Sequence, residues 1–390
     1  MKWMVTEDKL GADQKDVITE IGKSDKPIWI KGHAGSGKSV LLLHALKDFL
    51  VKHPNANVCI VVFTNALRDL LKNGLQQIPV LAGKSIPVIT FYTVQNRIDA
   101  GIKYDAIFCD EIQDLPPELI VTLKASCTRI IVAGDSSQSI YSNVPGIFDQ
   151  SPATPDQIRQ ILSPTEKNLS LIYRLTQSVL NILKNVFSEM LADRHNVSKV
   201  DTNVEVYKFE DDGSKEEVSF SWKKIKELNR LRPSEVVSIL INGHDEILRY
   251  VNIVLQIEGK EVWRRVNNRF GKPDYEALNS YLNKAGLPLM YVGNTYGSLE
   301  IADEQNKIVL MTYHGAKGLD FDSVFLPLAN EDMPDNPKQK ELLLVALSRS
   351  KRELVISYTG NLFYGLEPFI GNIPAKNGTQ PKTNLEDLDF

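Results

Sequence analysis

The chain has 390 residues, 43% of them hydrophobic and 24% charged, and a net charge of −4. That is room for two or three domains with ordinary globular cores, and it excludes a disordered chain. The slight negative charge gives no general attraction for nucleic acid, so any strand binding must come from a local groove. No apolar run reaches membrane-spanning length, so no membrane partner is expected. The start, Met1 to Asp8, lacks the apolar core of a signal peptide. Cys59, Cys109 and Cys127 lack metal-ligand spacing and read as small core residues of a reducing compartment. The expected location is cytoplasmic.

Short apolar strands alternate with helical stretches, which predicts an α/β chain built on parallel sheets. In chain order, a strand at Ile28–Ile30 leads into Gly32-His33-Ala34-Gly35-Ser36-Gly37-Lys38-Ser39, and a helix follows over Val40–Val51. Further strands are expected at Val58–Phe63, Val88–Phe91, Ala106–Cys109 and Ile130–Ala133. Ser151–Lys167 is polar and holds Pro152, Pro155 and Pro164, which places the end of a first domain, 1–165, within it. A second domain, 166–374, carries strands at Val236–Ile241, Ile308–Met311, Val324–Leu326 and Leu354–Ser357. A small insertion spans about 256–288. The polar, acidic end, 375–390, reads as a disordered tail.

The segment 32–39 matches the phosphate-binding loop G-x-x-x-x-G-K-[ST] between a strand and a helix. Gly32, Gly35, Ser36 and Gly37 let the backbone wrap an anion with its amides and the helix N-terminus. Lys38 adds a charge at the outer phosphates, and Ser39 suits a magnesium ion. A triphosphatase also needs acids at a strand end. Asp110 is placed to hold magnesium through water, and Glu111 to act as base or orienter for the attacking water. In the insertion, Lys260, Arg264, Arg265, Arg269 and Lys272 alternate with Trp263, Phe270 and Tyr275. That mixture suits a single strand through charge and stacking, or equally a solvated helix.

The run Asp110-Glu111-Ile112-Gln113-Asp114 and the segment Ile131 to Tyr141 resemble motifs II and III of the superfamily 1 helicases, in particular the UvrD-like group. Other motifs of that family have counterparts in the same order. Leu10 to Gln14 resembles the Q motif, Phe63-Thr64-Asn65 motif Ia, and Thr90 to Thr93 the next strand-contact motif. Leu171-Ile172-Tyr173-Arg174 resembles motif IV, Thr312 to Phe321 motif V, and Val345 to Lys351 motif VI. The resemblance implies two RecA-like P-loop domains with ATP and Mg2+ in the cleft between them. It implies Gln14 on the adenine edge, Tyr173 stacked on the base, and Gly318 and Asp320 at the nucleotide, with Asp320 on the ribose. Gln138 would sense the γ-phosphate. Arg174 and Arg349 would be arginine fingers brought by the second domain. Thr64, Asn65, Thr93 and His314 would contact the nucleic acid.

Several departures narrow that reading. The intervals from Lys38 to Asp110 and from Arg174 to Thr312 are too short for the accessory domains of larger relatives. Asn143 stands near where the family carries an aromatic residue, and Ile172, Tyr92 and Asp320 replace an asparagine, a histidine and a glutamate. The expectation is a compact ATP-driven motor on single-stranded DNA, moving 3′ to 5′. One alternative is an ATPase switch for a partner protein, such as a nuclease in a genome-defence or repair complex. Another, disfavoured by Glu111, Gln138 and the two arginines, binds nucleotide without hydrolysis.

Overall fold

The computed structural model describes residues 3–23, 25–134, 151–187, 201–210, 214–269, 271–293, 296–336 and 338–378. They form two compact units, the first ending at Leu175 and the second beginning at Thr176. Each unit is α/β, and every strand pairing within both sheets is parallel.

The first unit holds strands β1 (Ile28–Lys31), β2 (Val58–Val62), β3 (Val88–Thr90), β4 (Tyr104–Cys109), β5 (Cys127–Gly134) and β6 (Thr165–Asn168). Their order in the sheet is β3-β2-β4-β5-β1-β6. The central strands are continuous apolar runs because helices cover both faces of a parallel sheet. Ile60, Val61, Ile107, Phe108, Ile131 and Val132 are all fully buried. Helix α1 spans Ala12–Lys23, α2 Lys38–Lys52, α3 Asn65–Gln76 and α4 Phe91–Asp99. α2 buries Leu41, Leu42, Leu43, Ala45 and Leu46 completely, more than one stripe, so it is enclosed by its neighbours rather than laid on the surface.

The stretch 151–167 departs from the polar connection expected there. It contains a helix, Pro155–Leu162, opened by a capping box between Thr154 and Gln157, and then β6. β6 is an edge strand that pairs with β1 alone, and its Thr-Glu-Lys-Asn sequence carries no apolar alternation to announce it. Because β6 belongs to the first sheet, the first unit extends past residue 165 and takes in Tyr173 and Arg174.

The second unit holds β7 (Asn203–Phe209), β8 (Val237–Ile241), β9 (Leu289–Tyr291), β10 (Ile308–Thr312), β11 (Phe321–Leu326), β12 (Ser350–Thr359) and β13 (Lys376–Asn377). Their order is β13-β7-β12-β11-β8-β10-β9. β7, β9 and β13 are absent from the sequence expectations. The stretch 256–288 is not an appendage. It is the crossover from β8 to β9, and Trp263, Tyr275, Leu278 and Leu282 belong to the unit's core. Neither strand stacking nor a solvated helix accounts for Trp263 and Tyr275, since these residues are only 6% and 2% exposed. Phe270 lies outside the described residues. The expected tail likewise begins in order, since β13 pairs with β7 and Lys376 binds Glu205, while 379–390 lie outside the described residues.

Buried Glu217 ties the carboxyl ends of β11 and β12 together. Its Oε1 accepts from the Leu328 amide at 2.6 Å and the Ser357 hydroxyl at 2.9 Å, and its Oε2 from the Thr359 hydroxyl at 2.8 Å. Burial raises its pKa, and those three donors oppose the rise. Leu328 sits at a φ of 60°, a left-handed conformation that this hydrogen bond holds in place.

Candidate nucleotide site and strand-facing rim

Parallel α/β sheets place ligands at the carboxyl ends of their strands. In the first unit the loop 32–39 follows β1 and Asp110 follows β4, with β5 between the two strands. Gly35 and Gly37 adopt φ of 79° and 87°, which residues with a Cβ rarely take. Space reinforces the choice. A Cβ on Gly37 would collide with the Gln14 carboxamide, and one on Gly35 would lie 2.7 Å from the Arg174 Cβ. Lys38 is buried and its ammonium donates to the carbonyls of Gly32 (2.8 Å) and His33 (3.1 Å), which centres its charge inside the loop.

The Ser39 hydroxyl donates to Asp110 Oδ2 at 2.5 Å. Asp110 is 1% exposed, and its Oδ1 accepts from the Glu111 amide at 3.0 Å. Desolvation first, and then the Glu111 charge, raise the Asp110 pKa, while Ser39 and Lys38 oppose the rise. Glu111 is a non-glycine residue at a φ of 54°, in the turn from β4 into the short helix Ile112–Asp114. Such strain persists where neighbours over-determine it, and here the Gln113 amide donates to the Glu111 carboxylate. Gln113 also fills the space beside Gly134 at the end of β5. It received no role from the sequence, although it stands within the quoted acidic run.

Among the described residues no group of three His, Cys, Asp or Glu side chains forms a metal site. The hard oxygens of Ser39 and Asp110 nevertheless fit magnesium, which takes one or two protein ligands and completes its shell with water and phosphate oxygens.

Two segments distant in sequence converge on the loop. Gln14 donates to the Ser36 carbonyl and accepts from the Gly11 amide, both at 3.0 Å. The amides of Tyr173 and Arg174 both donate to the Gly35 carbonyl, at 2.9 and 3.1 Å. The Tyr173 hydroxyl donates to Asp13, and a Cβ on Gly11 would strike its ring. Arg174 thus belongs to the same unit as the loop, which corrects the expectation that the second domain brings it. Gln138 lies outside the described residues, as does the 135–150 segment with Tyr141 and Asn143.

In the second unit the turn after β10 carries His314, Gly318 (φ 79°) and Asp320. The Arg349 guanidinium is 1% exposed. It donates to the carbonyls of Val345 (2.8 Å) and Leu319 (3.0 Å) and to the Ser348 hydroxyl (2.6 Å). Its charge therefore sits at the carboxyl end of the helix Gln339–Leu347, where the helix dipole favours a cation, and it binds that helix to the His314 turn. Burial first, then His244 and Lys317, lower the His314 pKa to about 4.

The residues expected to touch nucleic acid fall in both units. The Thr64 hydroxyl accepts from the Leu67 amide at 3.1 Å and so caps α3, with Asn65 as its first residue. Thr93 is exposed, its hydroxyl 3.3 Å from that of Thr90. Val62 pairs with Thr90, which sets the turns after β2 and β3 side by side and groups Thr64, Asn65 and Thr93 on one rim.

Residues 28–155 match the viral superfamily 1 RNA helicase core domain, and residues 265–361 match the UvrD-like helicase C-terminal domain. The replication restart protein PriA of Rickettsia prowazekii (strain Madrid E) is 43% identical over 44 residues, 11% of this chain and 7% of that protein. Two solved structures of arterivirus nonstructural protein 10, a helicase, are each 14% identical. One has a TM-score of 0.41 over 88% of this chain and 61% of its own; the other, a complex with DNA, has 0.43 over 91% and 65%. This chain thus covers less than two thirds of either helicase and a small part of PriA. The first unit thus resembles a superfamily 1 helicase core over 28–155, and the second resembles the UvrD-like C-terminal domain over 265–361, each built on a parallel sheet. Among the described residues no helix is long and apolar enough to cross a membrane.

Proposed function

We propose that the protein is an ATPase that uses hydrolysis to move along or remodel single-stranded DNA, with 3′ to 5′ polarity. The observation that carries the ATPase half is the convergence at one rim of buried Lys38, the Ser39–Asp110 hydrogen bond and a strained Glu111 held by Gln113. The loop amides and Lys38 bind the phosphates, and Glu111 orients the attacking water and takes its proton. Ser39 and Asp110 would hold Mg2+, which when bound neutralises phosphate charge. Gln14 and Tyr173 contact the base, Gly318 and Asp320 the nucleotide, and Gln138 the γ-phosphate. Arg174, tied to Gly35 through its amide, stabilises charge on the phosphoryl group. Thr64, Asn65, Thr93 and His314 meet the strand. The location is cytoplasmic.

A second reading, a switch that controls a partner such as a nuclease, is favoured by one observation. The Arg349 guanidinium binds groups of its own unit, so its service as an arginine finger requires exchanging those bonds for phosphate oxygens. Hydrolysis that waits on this exchange suits a timed switch. The test of the ATPase reading is single-turnover phosphate release. Lys38→Met should lower it at least a hundredfold, and Glu111→Gln should bind ATP yet release phosphate at least a hundredfold more slowly. Unchanged release in Glu111→Gln would remove Glu111 from the chemistry.

A further inference from the structure

The segment that leads into Gln14 is held firmly at its far end. Residues 5–9 are exposed, and the Glu7–Lys47 ion pair to α2 lies partly in solvent, where such pairs anchor little. The stronger contacts lie around Trp3. Its indole N–H donates to the Leu70 carbonyl of α3 at 3.1 Å. The amides of Trp3 and Met4 both donate to Gln77 Oε1, at 3.2 and 3.1 Å. His44 Nε2, on α2, donates to the Val5 carbonyl at 2.8 Å. α3 is shaped for the Trp3 ring. Gly74 lies within this helix, where glycine is less favourable than alanine. A Cβ there would stand 2.5 Å from Trp3 Cζ2 and 2.8 Å from Leu43 Cδ1 of α2. The missing side chain leaves a notch, and Trp3 fills it.

A short helical turn over Glu7–Lys9 and buried Leu10 join this anchor to Gly11. The Gly11 amide and the Ser36 carbonyl take one acceptor site and one proton of the Gln14 carboxamide. A second lone pair and a second proton remain on it, and the place of Gly11 decides which way they face. We propose that Trp3 is a positioning residue for recognition of the nucleotide base. Seated in the Gly74 notch, it fixes the segment 4–11 and so the direction in which Gln14 presents its amide. The inference rests on the proposed contact of Gln14 with the base, and adds what holds that contact in place.

The test is isothermal titration calorimetry of the full chain with two ligands, the nonhydrolysable β,γ-methylene analogue of ATP and inorganic tripolyphosphate, which has no base. Trp3→Ala should weaken binding of the analogue on the order of tenfold and leave tripolyphosphate unchanged, because the phosphate loop is untouched. Gly74→Ala crowds the ring out of its notch while favouring the helix, and should do the same. Trp3→Phe should recover most of the loss. In a Gln14→Ala background, Trp3→Ala should add no more than about twofold, since both changes act on one contact. Unchanged binding of the analogue in Trp3→Ala, equal loss of both ligands, or a full tenfold added to Gln14→Ala would each overturn the positioning role while base reading stands. If the wild-type chain binds the analogue no more tightly than tripolyphosphate, or Gln14→Ala leaves the analogue unaffected, base reading by Gln14 fails and the role of Trp3 fails with it.

Discussion

Lys38, Asp110 and His314 each show burial working against charge, with different consequences. Lys38 offsets its desolvation with two loop carbonyls, and Asp110 with a hydroxyl and an amide. His314 avoids the cost by staying neutral. Its imidazole takes a proton only near pH 4 in the fold, against an ordinary value of 6.5. Between those values the unfolded chain binds more protons, so stability rises with pH and is lost as pH falls from about 6.5 toward about 4. His314→Gln removes this contribution. Urea unfolding should show the wild-type chain losing about 1.5 kcal/mol more than the variant between pH 6.5 and 5. Equal losses would mean that the imidazole is not held neutral. The acids and the loop lysine were legible in the sequence because their spacing is fixed by the chemistry. The inward turn of Arg349 was not, because motif spacing is silent on where a guanidinium points.

The loop, the rim and the Glu217 node show how local backbone choices position whole elements. Gly37 combines a left-handed φ with contact to Gln14, so Gly37→Ala should cost about 1–2 kcal/mol and loosen the Gly11–Gln14 segment from the loop. Differential scanning calorimetry on the variant checks this, and an unchanged midpoint would contradict it. Glu217→Ala leaves three buried donors at the ends of β11 and β12 without their acceptor. It should cost about 2–4 kcal/mol, and Glu217→Gln less. Equilibrium unfolding of both variants gives the comparison, and a neutral Glu217→Ala would show that the node is dispensable. The strands expected at Ile28, Val58, Ala106 and Ile308 were legible because buried parallel strands read as apolar runs. β6 and β13 lie at sheet edges with polar residues, so that signal is missing. β7 buries Glu205, Val206 and Tyr207 in a row, with charged Glu205 and Lys208 interrupting its apolar residues, so it shows neither clean alternation nor a continuous apolar run. The 256–288 stretch misled because its basic residues suggested a surface, while Trp263, Tyr275, Leu278 and Leu282 point into the core.

At the level of the molecule, two parallel-sheet units, a phosphate-loop sequence in the first and a match to the UvrD-like C-terminal domain over 265–361 in the second resemble the superfamily 1 helicases. The first unit already assembles the loop, Ser39, Asp110, Glu111, Gln14, Tyr173 and Arg174. It follows that ATP should bind with little dependence on Arg349, whereas turnover should depend on it. Arg349→Lys, which keeps a charge but loses the planar fork, should bind ATP within about threefold of wild type and hydrolyse it at least tenfold more slowly. Equal loss of binding and turnover would contradict that division. The central claim is coupling of ATP hydrolysis to a single strand, and it is tested most directly by the steady-state rate of phosphate release with and without oligothymidine. The account predicts a rate that rises at least tenfold with the oligonucleotide and that disappears in Glu111→Gln. A substantial basal rate that the strand leaves unchanged would contradict it.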